Sequence, residues 1–387
     1  MKKRVLFLSY NHPDLKVADS VQNHRLIEAL QEYYDITILR REKTTDFFGI
    51  NSLNLNLLDR VLYKLFPGLL SIFSIDRFVW AVKAYNKTKR VLDDYDYLFI
   101  TYEPYSVYYY QRFVRKTSSI KTVSILYDPY VNNIFLSPKT WSIYFRKKIE
   151  KWIVENSDYC VVNNERLYRL FLKEYSNNNI SVIPLCGITN KKDCPVRINE
   201  KVRIIHAGNI YGLRRIDEIN DVISLLKKEI DCLKERVEFL FFGTYLVGYD
   251  KVIERGNDDV IIKRNPINSD MLVEEICKSD ILLLIDPIDS KNYCFPSKLC
   301  EYYQYNKPII GISGKGTPSY ESLVESNHFV CDESGINDLC VKLKEIILNR
   351  GSNLLYDKTY YKRFEPNNVA SLFYKLLDNN GSNCREI

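Results

Sequence analysis

A lysine and a glutamate lie near the start of a helix that we predict from about residue 297. Pro296 ends whatever precedes this helix, and Ser297 is a residue type that commonly caps a helix N-terminus. Because the first turn exposes backbone N–H groups and the positive end of the dipole, Lys298 costs helix stability there unless an anion compensates. We therefore expect a phosphate group at Ser297 and Lys298. Glu301, one turn along the same face, could accept hydrogen bonds from a ribose. A solvated lysine and a glutamate that only stabilises the helix are the alternative.

A second set of basic residues follows a predicted strand at 202–206. Gly208 opens the loop after this strand, and its missing side chain lets the backbone approach a ligand. Arg214 and Arg215 could clamp a diphosphate through charge-assisted hydrogen bonds. Two surface arginines at the start of the next helix are the alternative.

Residues 296–310 resemble the family 4 glycosyltransferases, which have the two-domain GT-B fold. Members of this family often carry P-x-K-x-x-E-Y followed by a small turn and a K-P-V-I strand. The resemblance implies that Ser297 and Lys298 meet the diphosphate of a nucleotide-sugar donor and that Glu301 meets the donor ribose. The likeness extends over nearly the whole chain, but it is specific only in residues 202–312 and diffuse before residue 155.

The run from Gly208 is similar to the family's G-R-x-x-x-x-K-G element, whose basic residues bind diphosphate. Arg214 falls on the position of the lysine. Asn209 replaces the usual arginine and Arg215 replaces the second glycine, so the family's two-cation clamp is altered here. A further donor-binding loop is implied where the family holds the nucleobase through backbone groups, at Asn265, Pro266 and Ile267.

Two departures from the family pattern concern the donor. Many members have two glutamates eight positions apart, and the position eight before Glu301 is Tyr293. We keep Tyr293 among the donor-binding positions, without the carboxylate. A Gly-Gly loop after the first strand is replaced by residues 16–20, Lys-Val-Ala-Asp-Ser. Either the donor is held differently or activity has been lost.

Two carboxylates are candidates for the catalytic residue. Asp128 follows a predicted strand at 122–126, close to where relatives place a histidine or aspartate facing the acceptor. The carboxyl end of a strand is where ligands bind in open α/β sheets. Asp128-Pro129 reads equally well as a turn. Glu103, after the strand predicted at 97–101, is a similar candidate.

Short apolar strands alternate with longer amphipathic helices along the chain, which predicts an α/β fold with two Rossmann-like doubly wound domains. We place the N-terminal acceptor domain at 1–188, a linker at 189–200 and the C-terminal nucleotide-sugar donor domain at 201–360. Residues 361–387 form a tail that could pack back toward the N-terminal domain. Because ligands bind at the carboxyl ends of such strands, two sheets that face each other would enclose a cleft.

Residues 46–95 interrupt this alternation with an insertion-like stretch that we predict to be helical. Between Arg60 and Arg90 there are seven basic residues and one acidic residue, Asp76, interleaved with aliphatic and aromatic side chains. This mixture is typical of a helix at a membrane surface or at a lipid-linked acceptor. Ordinary helices packed on the first sheet, with a solvated basic face, are the alternative.

Composition excludes several classes of protein. A net charge of +6 over 387 residues is too weak to indicate nucleic acid, although it suits anionic ligands. The ten cysteines lack C-x-x-C spacing, so we expect reduced thiols in the cytoplasm, and with four scattered histidines we expect no metal site. The apolar run Val5–Leu8 is too short for a signal peptide, and no segment is long enough to span a membrane.

These observations together predict a metal-independent glycosyltransferase without a cofactor. It would move a sugar from a nucleotide diphosphate-sugar to the hydroxyl of a saccharide or lipid-linked acceptor in cell-surface polysaccharide synthesis. The family resemblance implies retention of anomeric configuration. We expect a cytoplasmic protein that could touch the inner face of the membrane. Two alternatives stay open: a non-catalytic donor-binding or partner subunit of the same fold, and an epimerase that acts on the nucleotide sugar.

Overall fold

The computed structural model describes residues 2–11, 18–42, 49–51, 61, 75–102, 104–136, 140–177, 179–189, 194, 200–210, 212–214, 216–243, 257, 259–349 and 355–378. The chain divides into two compact units. The first comprises Met1–Thr189, Tyr293–Phe295 and Arg363–Ile387. The second comprises Asn190–Asn292 and Pro296–Lys362.

The described part of the first unit is built on a parallel sheet of seven strands in the order β3-β2-β1-β4-β5-β6-β7. The strands are β1 Lys3–Ser9, β2 Tyr34–Glu42, β3 Gly49–Asn51, β4 Tyr97–Thr101, β5 Lys121–Leu126, β6 Tyr159–Val162 and β7 Ile180–Val182. Strand β1 explains the apolar run at the start of the sequence. Val5 and Phe7 enter the core on one face of the sheet, and Leu6 and Leu8 enter the core on the other. A strand covered on both faces has no polar side, as expected in a doubly wound sheet.

Six helices of the first unit are α1 Ala18–Leu30, α2 Ile75–Thr88, α3 Tyr108–Val114, α4 Thr140–Glu155, α5 Glu165–Glu174 and, near the end of the chain, α12 Pro366–Asp378. Helices α1 and α12 cover the face that carries Val5 and Phe7. Helices α2 to α5 contribute to the core on the opposite face. Each apolar face of the sheet is therefore shielded by helices on its own side.

The prediction that residues 46–95 are helical is wrong at Gly49–Asn51, which form β3. These residues pair in parallel with Arg40–Glu42 of β2, because the edge of β2 offers unpaired backbone groups to a neighbouring segment. Helix α2 packs on the first sheet, as the alternative interpretation of this stretch predicts. Its Trp80 is buried, and its Phe78 ring meets Tyr109 edge-on at 5.2 Å. Residues 52–60 and 62–74 lie outside the described residues.

In the part of the chain that the structure describes, no helix combines the length and the apolar character needed to cross a bilayer.

Helix α12 fills one side of the first unit. Its buried side chains are Val369, Ala370, Leu372, Phe373, Leu376 and Leu377. The Phe373 ring lies 5.7 Å from the ring of Phe99 in β4, and the hydroxyl of Tyr97 donates to the carbonyl of Leu377 over 3.1 Å. The segment 366–378, which the sequence analysis treated as part of a tail, thus completes the core of the first unit.

Replacing Phe373 with alanine should lower the free energy of unfolding of the first unit by about 3–5 kcal/mol, since it leaves a cavity in a packed core. Equilibrium urea unfolding of the full chain, followed by circular dichroism, measures the change. Lys375→Ala, on the exposed side of the same helix, is the matched control and should stay within about 0.5 kcal/mol of wild type. Equal effects of the two substitutions would contradict the burial of α12.

The described part of the second unit has a parallel sheet of six strands in the order β10-β9-β8-β11-β12-β13. The strands are β8 Val202–Ala207, β9 Val237–Phe242, β10 Ile261–Arg264, β11 Ile281–Ile285, β12 Ile309–Ile312 and β13 Phe329–Cys331. The helices are α6 Asp217–Glu229, α7 Leu233–Arg236, α8 Ser269–Lys278, α9 Ser297–Gln304, α10 Pro318–Glu325 and α11 Ile336–Leu348. Helices α6 and α11 pack together over one face. Two parallel doubly wound sheets with covering helices confirm the predicted fold class.

The expectation of ten reduced thiols is wrong for one pair. Cys194 and Cys277 form a disulfide, with Cα atoms 4.8 Å apart although 83 positions separate them in sequence. A search for short cysteine spacing cannot detect such a pair, because the fold brings the end of α8 to a cysteine far away along the chain. The other described cysteines, seven in number, do not form disulfides.

Candidate functional site

Helix α9 begins at Ser297, as the sequence predicts, but its N-cap is Pro296. The expected capping role of Ser297 is therefore wrong: Ser297 is the first helical residue, and the extended backbone of Pro296 precedes it. Proline has no side-chain acceptor, so the cap makes no side-chain hydrogen bond to the first turn. The backbone N–H groups of the first turn can therefore still contribute to binding an anion.

A hydrogen bond ties α9 to the end of β8. The hydroxyl of Tyr302, which is buried, accepts from the backbone N–H of Ala207 at 2.9 Å. Tyr302 lies one turn after Lys298 on the same face of the helix. The bond therefore places the first turn of α9 beside the loop that follows β8.

Lys298 lies directly over the backbone of Gly208. A Cβ atom built on Gly208 would lie 1.8 Å from the Lys298 Nζ and 2.5 Å from its Cε. Gly208 also has a φ of +144°, in the region that other residues rarely adopt. The backbone conformation therefore favours glycine at this position, and the ammonium group occupies the space that a side chain would need.

A second glycine packs against the first from the next strand. The N–H of Gly208 donates to the carbonyl of Phe242 at 2.6 Å. Gly243 has a φ of +155°, and a Cβ atom built on it would lie 2.3 Å from the carbonyl oxygen of Gly208. The carboxyl ends of β8 and β9 are therefore joined by direct backbone contact beneath the Lys298 ammonium.

Arg214 reaches the same edge of the sheet from the loop after β8. Its Nη2 lies 3.8 Å from the Oδ1 of Asp286, which directly follows β11. The Asp286 side chain is 2% exposed, and its Oδ2 accepts from the Ser319 hydroxyl at 2.6 Å and from the Asn292 amide at 3.2 Å. Asp286 is not among the residues predicted from the sequence. Its place directly after the most apolar strand of the second half was the available signal.

The charges in this cluster alter one another's protonation. The pKa of Lys298 is lowered to about 7, first by removal of the ammonium from water and then by Arg214, while Glu301 and Asp286 oppose the change. Burial raises the pKa of Asp286 to about 6, against the effect of Arg214, the Ser319 hydrogen bond and Lys298. Strongly shifted groups around one loop indicate a functional site.

His206, the penultimate residue of β8, belongs to the same cluster. Its ring is buried, and Nδ1 lies 3.0 Å from the carbonyl oxygen of Leu283. Burial, followed by the charge of Lys298, holds the pKa of His206 well below its usual value. His206 is therefore neutral at physiological pH and adds no third cation.

The other predicted donor-binding residues of the second unit that the structure describes lie after β8, after β10 and on α9. Asn209 is exposed next to Gly208, and Glu301 is half-buried on α9 close enough to raise the pKa of Lys298. Exposed Asn265 and Pro266 and half-buried Ile267 follow β10, which neighbours β9. The carboxyl ends of the parallel strands β8, β9 and β10 therefore lie at one edge of the sheet. Arg215 lies outside the described residues.

Tyr293 belongs to the first unit. Its carbonyl oxygen accepts from the Asn164 side chain at 3.1 Å, and the guanidinium of Arg166 lies 4.8 Å from the centre of its ring. Asn164 also caps α5 by accepting from the N–H of Leu167. Tyr293 is thus held at the start of α5, and the position at which the resemblance to family 4 implies a carboxylate holds an aromatic ring.

Asp128 lies in the loop after β5, as predicted. Its carbonyl oxygen accepts from the Tyr105 hydroxyl, and the Tyr105 ring stacks on Tyr130 at 4.0 Å. The buried carboxylate of Glu150 accepts from the backbone N–H groups of Tyr130 and Val131 and from the Tyr175 hydroxyl. These contacts hold the loop that carries Asp128 in place at the carboxyl edge of the first sheet. Glu103 lies outside the described residues.

A buried asparagine organises the rest of this edge. The Asn23 amide on α1 donates to the hydroxyls of Ser9 and Thr101, each over 2.9 Å, and its carbonyl oxygen accepts from the Tyr127 hydroxyl at 3.0 Å. It thereby links the ends of β1, β4 and β5. Residues 18–20, which replace part of the family's glycine loop, form the first turn of α1, and Lys16 and Val17 lie outside the described residues.

Across the described ranges, no three histidine, cysteine, aspartate or glutamate side chains are grouped so that they could hold a metal ion. The cluster in the second unit instead presents two basic side chains, the start of α9 and closely packed glycine backbone. This combination suits a diphosphate, because charge-assisted hydrogen bonds and backbone N–H groups are the usual partners of phosphate oxygens.

The chain is similar in structure to several solved glycosyltransferases. Sucrose-phosphate synthase from Thermosynechococcus elongatus is 14% identical with a TM-score of 0.69, covering 98% of this chain and 99% of that one. The lipopolysaccharide outer core galactosyltransferase WaaB, in its apo form, is 13% identical with a TM-score of 0.64 and coverage of 97% and 99%. HepE from Anabaena, in complex with UDP and glucose, is 11% identical with a TM-score of 0.63 and coverage of 97% and 100%.

No protein-family model matches the chain, and no curated protein matches it by sequence. Identities this low show a shared fold, and that fold extends over nearly the full length of the solved proteins. The chain therefore has the two-domain GT-B fold that the sequence predicts. Membership of family 4 stays a prediction.

Proposed function

We propose that this chain transfers a sugar from a nucleotide diphosphate-sugar to a hydroxyl acceptor. The observation that carries the proposal is the Lys298 ammonium over the backbone of Gly208, with Arg214 at the same edge of the second sheet. Burial and the nearby charge of Arg214 lower the pKa of Lys298 to about 7 even though Glu301 and Asp286 oppose the change, so the site favours a further anion. A diphosphate would supply that anion.

The chemistry requires positive charge at the phosphates. When the bond between the sugar and the diphosphate breaks, the nucleoside diphosphate leaves with additional negative charge. Lys298, Arg214 and the start of α9 would stabilise this charge without rearrangement, which is the usual way in which preorganised groups lower such barriers. Because side chains supply this charge, we propose that the reaction needs no metal ion.

The remaining roles follow from position. Asn265, Pro266 and Ile267, beyond the end of β10, are proposed to hold the nucleobase, and Glu301 to bind the ribose. Asp128 is the proposed acceptor-side carboxylate, since its loop is ordered at the carboxyl edge of the first sheet. The resemblance to retaining enzymes supports retention of configuration. A saccharide or lipid-linked acceptor, reached at the inner face of the membrane, is supported by the basic and apolar composition of residues 46–95.

The test begins with ligand-linked stability. Purified full-length protein is screened by thermal shift against UDP, GDP, ADP, CDP and their hexose conjugates, with UDP first because HepE is solved with UDP and glucose. We expect one nucleotide to raise the free energy of unfolding by about 1–3 kcal/mol at concentrations well above its Kd. The matching sugar conjugate should then label a saccharide or lipid-linked acceptor extract, and NMR of the product would identify the anomer.

A protein that no nucleotide stabilises would contradict the proposal. Binding without transfer to any acceptor would instead favour a non-catalytic donor-binding subunit. The aromatic ring of Tyr293, in place of the carboxylate that the resemblance to family 4 implies, supports this second candidate.

A further inference from the structure

Asp286 is the buried anion of the second unit's charge cluster. It directly follows β11, its backbone N–H donates to the carbonyl of Ile312 at 2.9 Å, and its side chain accepts from Ser319 and Asn292. Two neutral donors therefore fix Oδ2, while Oδ1 is the oxygen nearest to the Arg214 guanidinium. This arrangement holds a carboxylate in one orientation toward a cation.

We propose that Asp286 is a positioning residue of the donor site: it orients Arg214 and favours the protonated form of Lys298 in the absence of ligand. The inference rests on the proposed function for its account of nucleotide binding. It goes beyond the sequence pattern, in which Asp286 has no assigned role.

Four groups from different elements face Lys298. Its own helix α9 contributes Glu301, the strand β8 contributes neutral His206, the following loop contributes Arg214, and the loop after β11 contributes Asp286. Two cations thus share a site with two carboxylates. Glu301 is half-buried, whereas Asp286 is 2% exposed and fixed by hydrogen bonds. Glu301 has the larger of the two effects on the pKa of Lys298, and Asp286 is the carboxylate that also faces the Arg214 guanidinium.

The pKa of Lys298 determines how the Kd for a diphosphate depends on pH. Asp286 raises the pKa of Lys298, which still reaches only about 7. Above that pH, Lys298 must gain a proton when a diphosphate binds, so the Kd should rise as pH increases, approaching tenfold per pH unit. Without the Asp286 charge the pKa of Lys298 would be lower still, and the rise in Kd would begin at lower pH.

The test compares Asp286→Asn with wild type. Asparagine keeps the size of the side chain and can accept from Ser319, but it removes the charge. Lysines of the full-length protein are reductively methylated with ¹³C, and the Lys298 signal, assigned by its absence in Lys298→Ala, is followed from pH 5.5 to 10 without ligand. We expect its midpoint to fall by about one pH unit in the variant. Isothermal titration with UDP over the same range should show the rise in Kd beginning about one unit lower.

The matched control is Asp259→Asn. Asp259 is an exposed aspartate of the same unit whose carboxylate lies 2.6 Å from Lys227, and its loss should leave the Lys298 midpoint unchanged. Ser319→Ala provides a second variant if Asp286→Asn does not fold. Losing its hydrogen bond makes the Asp286 carboxylate easier to protonate, so the Lys298 midpoint should move in the same direction by a smaller amount.

An unchanged Lys298 midpoint in both variants would overturn the inference, because a structural role alone lowers stability or affinity without moving a titration. The ligand-free titration does not depend on nucleotide binding. If it shifts while no nucleotide binds wild type, the proposed function fails and the electrostatic role of Asp286 stands.

Discussion

Replacing Lys298 with alanine is expected to weaken binding of the nucleoside diphosphate by about 30-fold or more, equivalent to about 2 kcal/mol. The ammonium is the group that lies over the Gly208 backbone at the start of α9, and a diphosphate would lose its strongest charged partner with it. Isothermal titration at pH 6.5, where the wild-type lysine is mostly protonated, measures the loss. Because the site pushes the pKa of Lys298 down, the folded protein without ligand should lose no stability on this change.

Lys228→Ala controls for a general loss of positive charge, since Lys228 is an exposed lysine on α6 in the same unit. It should bind nucleotide as wild type does. If Lys298→Ala retained full affinity, the diphosphate would have to bind elsewhere, and the proposed function would lose its main support.

Alanine at Gly243 should lower the stability of the second unit by about 3 kcal/mol or more. Its Cβ atom would lie 2.3 Å from the Gly208 carbonyl oxygen, and backbone cannot move aside without breaking the contact between β8 and β9. Alanine at Gly208 meets only the end of the Lys298 side chain, which can rotate away. We expect it to cost about 1–3 kcal/mol, from its unfavourable φ, and to abolish nucleotide binding by displacing the ammonium.

Urea unfolding measures the loss of stability caused by Gly243→Ala and by Gly208→Ala. A double variant, Gly208→Ala with Lys298→Ala, measures how much of the loss at Gly208 comes from contact with the Lys298 side chain. If Lys298 is what the new methyl group meets, Gly208→Ala should cost less stability in the Lys298→Ala background than in wild type. Strictly additive effects would contradict the contact between the two residues. A stable Gly243→Ala variant would show that β8 and β9 can separate at this edge.

The regular elements of the fold were predictable where apolar patterns were strong. The strand Tyr97–Thr101 has the predicted bounds, and the strands predicted at 122–126 and 202–206 differ from the structure by one residue each, because all three are short runs rich in apolar residues. The strand Gly49–Asn51 was not predictable, since three residues contain no period and only the edge of β2 makes them a strand. Helix α12 was treated as part of a tail, because its partner β4 lies far away in sequence.

The candidate site was predictable where chemistry was local. The first turn of α9 identified Lys298, and a glycine after β8 identified Gly208, and the structure brings the two together. Asp286 could not be found in this way. A lone aspartate after an apolar strand is common, and only the fold shows that Arg214, Asn292 and Ser319 surround it. The prediction that Ser297 caps α9 was wrong, because the helix begins at Ser297 and Pro296 occupies the N-cap position.

The place of α12 affects how the protein folds during synthesis. The ribosome makes residues 366–378 only after the whole second unit, yet these residues supply six buried side chains to the core of the first. Domains usually fold in the order in which they emerge. Until α12 is made, only α1 of the described helices covers this apolar face of the first sheet, so part of the face stays exposed while the later unit already has all of its described strands. The nascent chain should therefore depend on chaperones at the N-terminal half until translation is nearly finished.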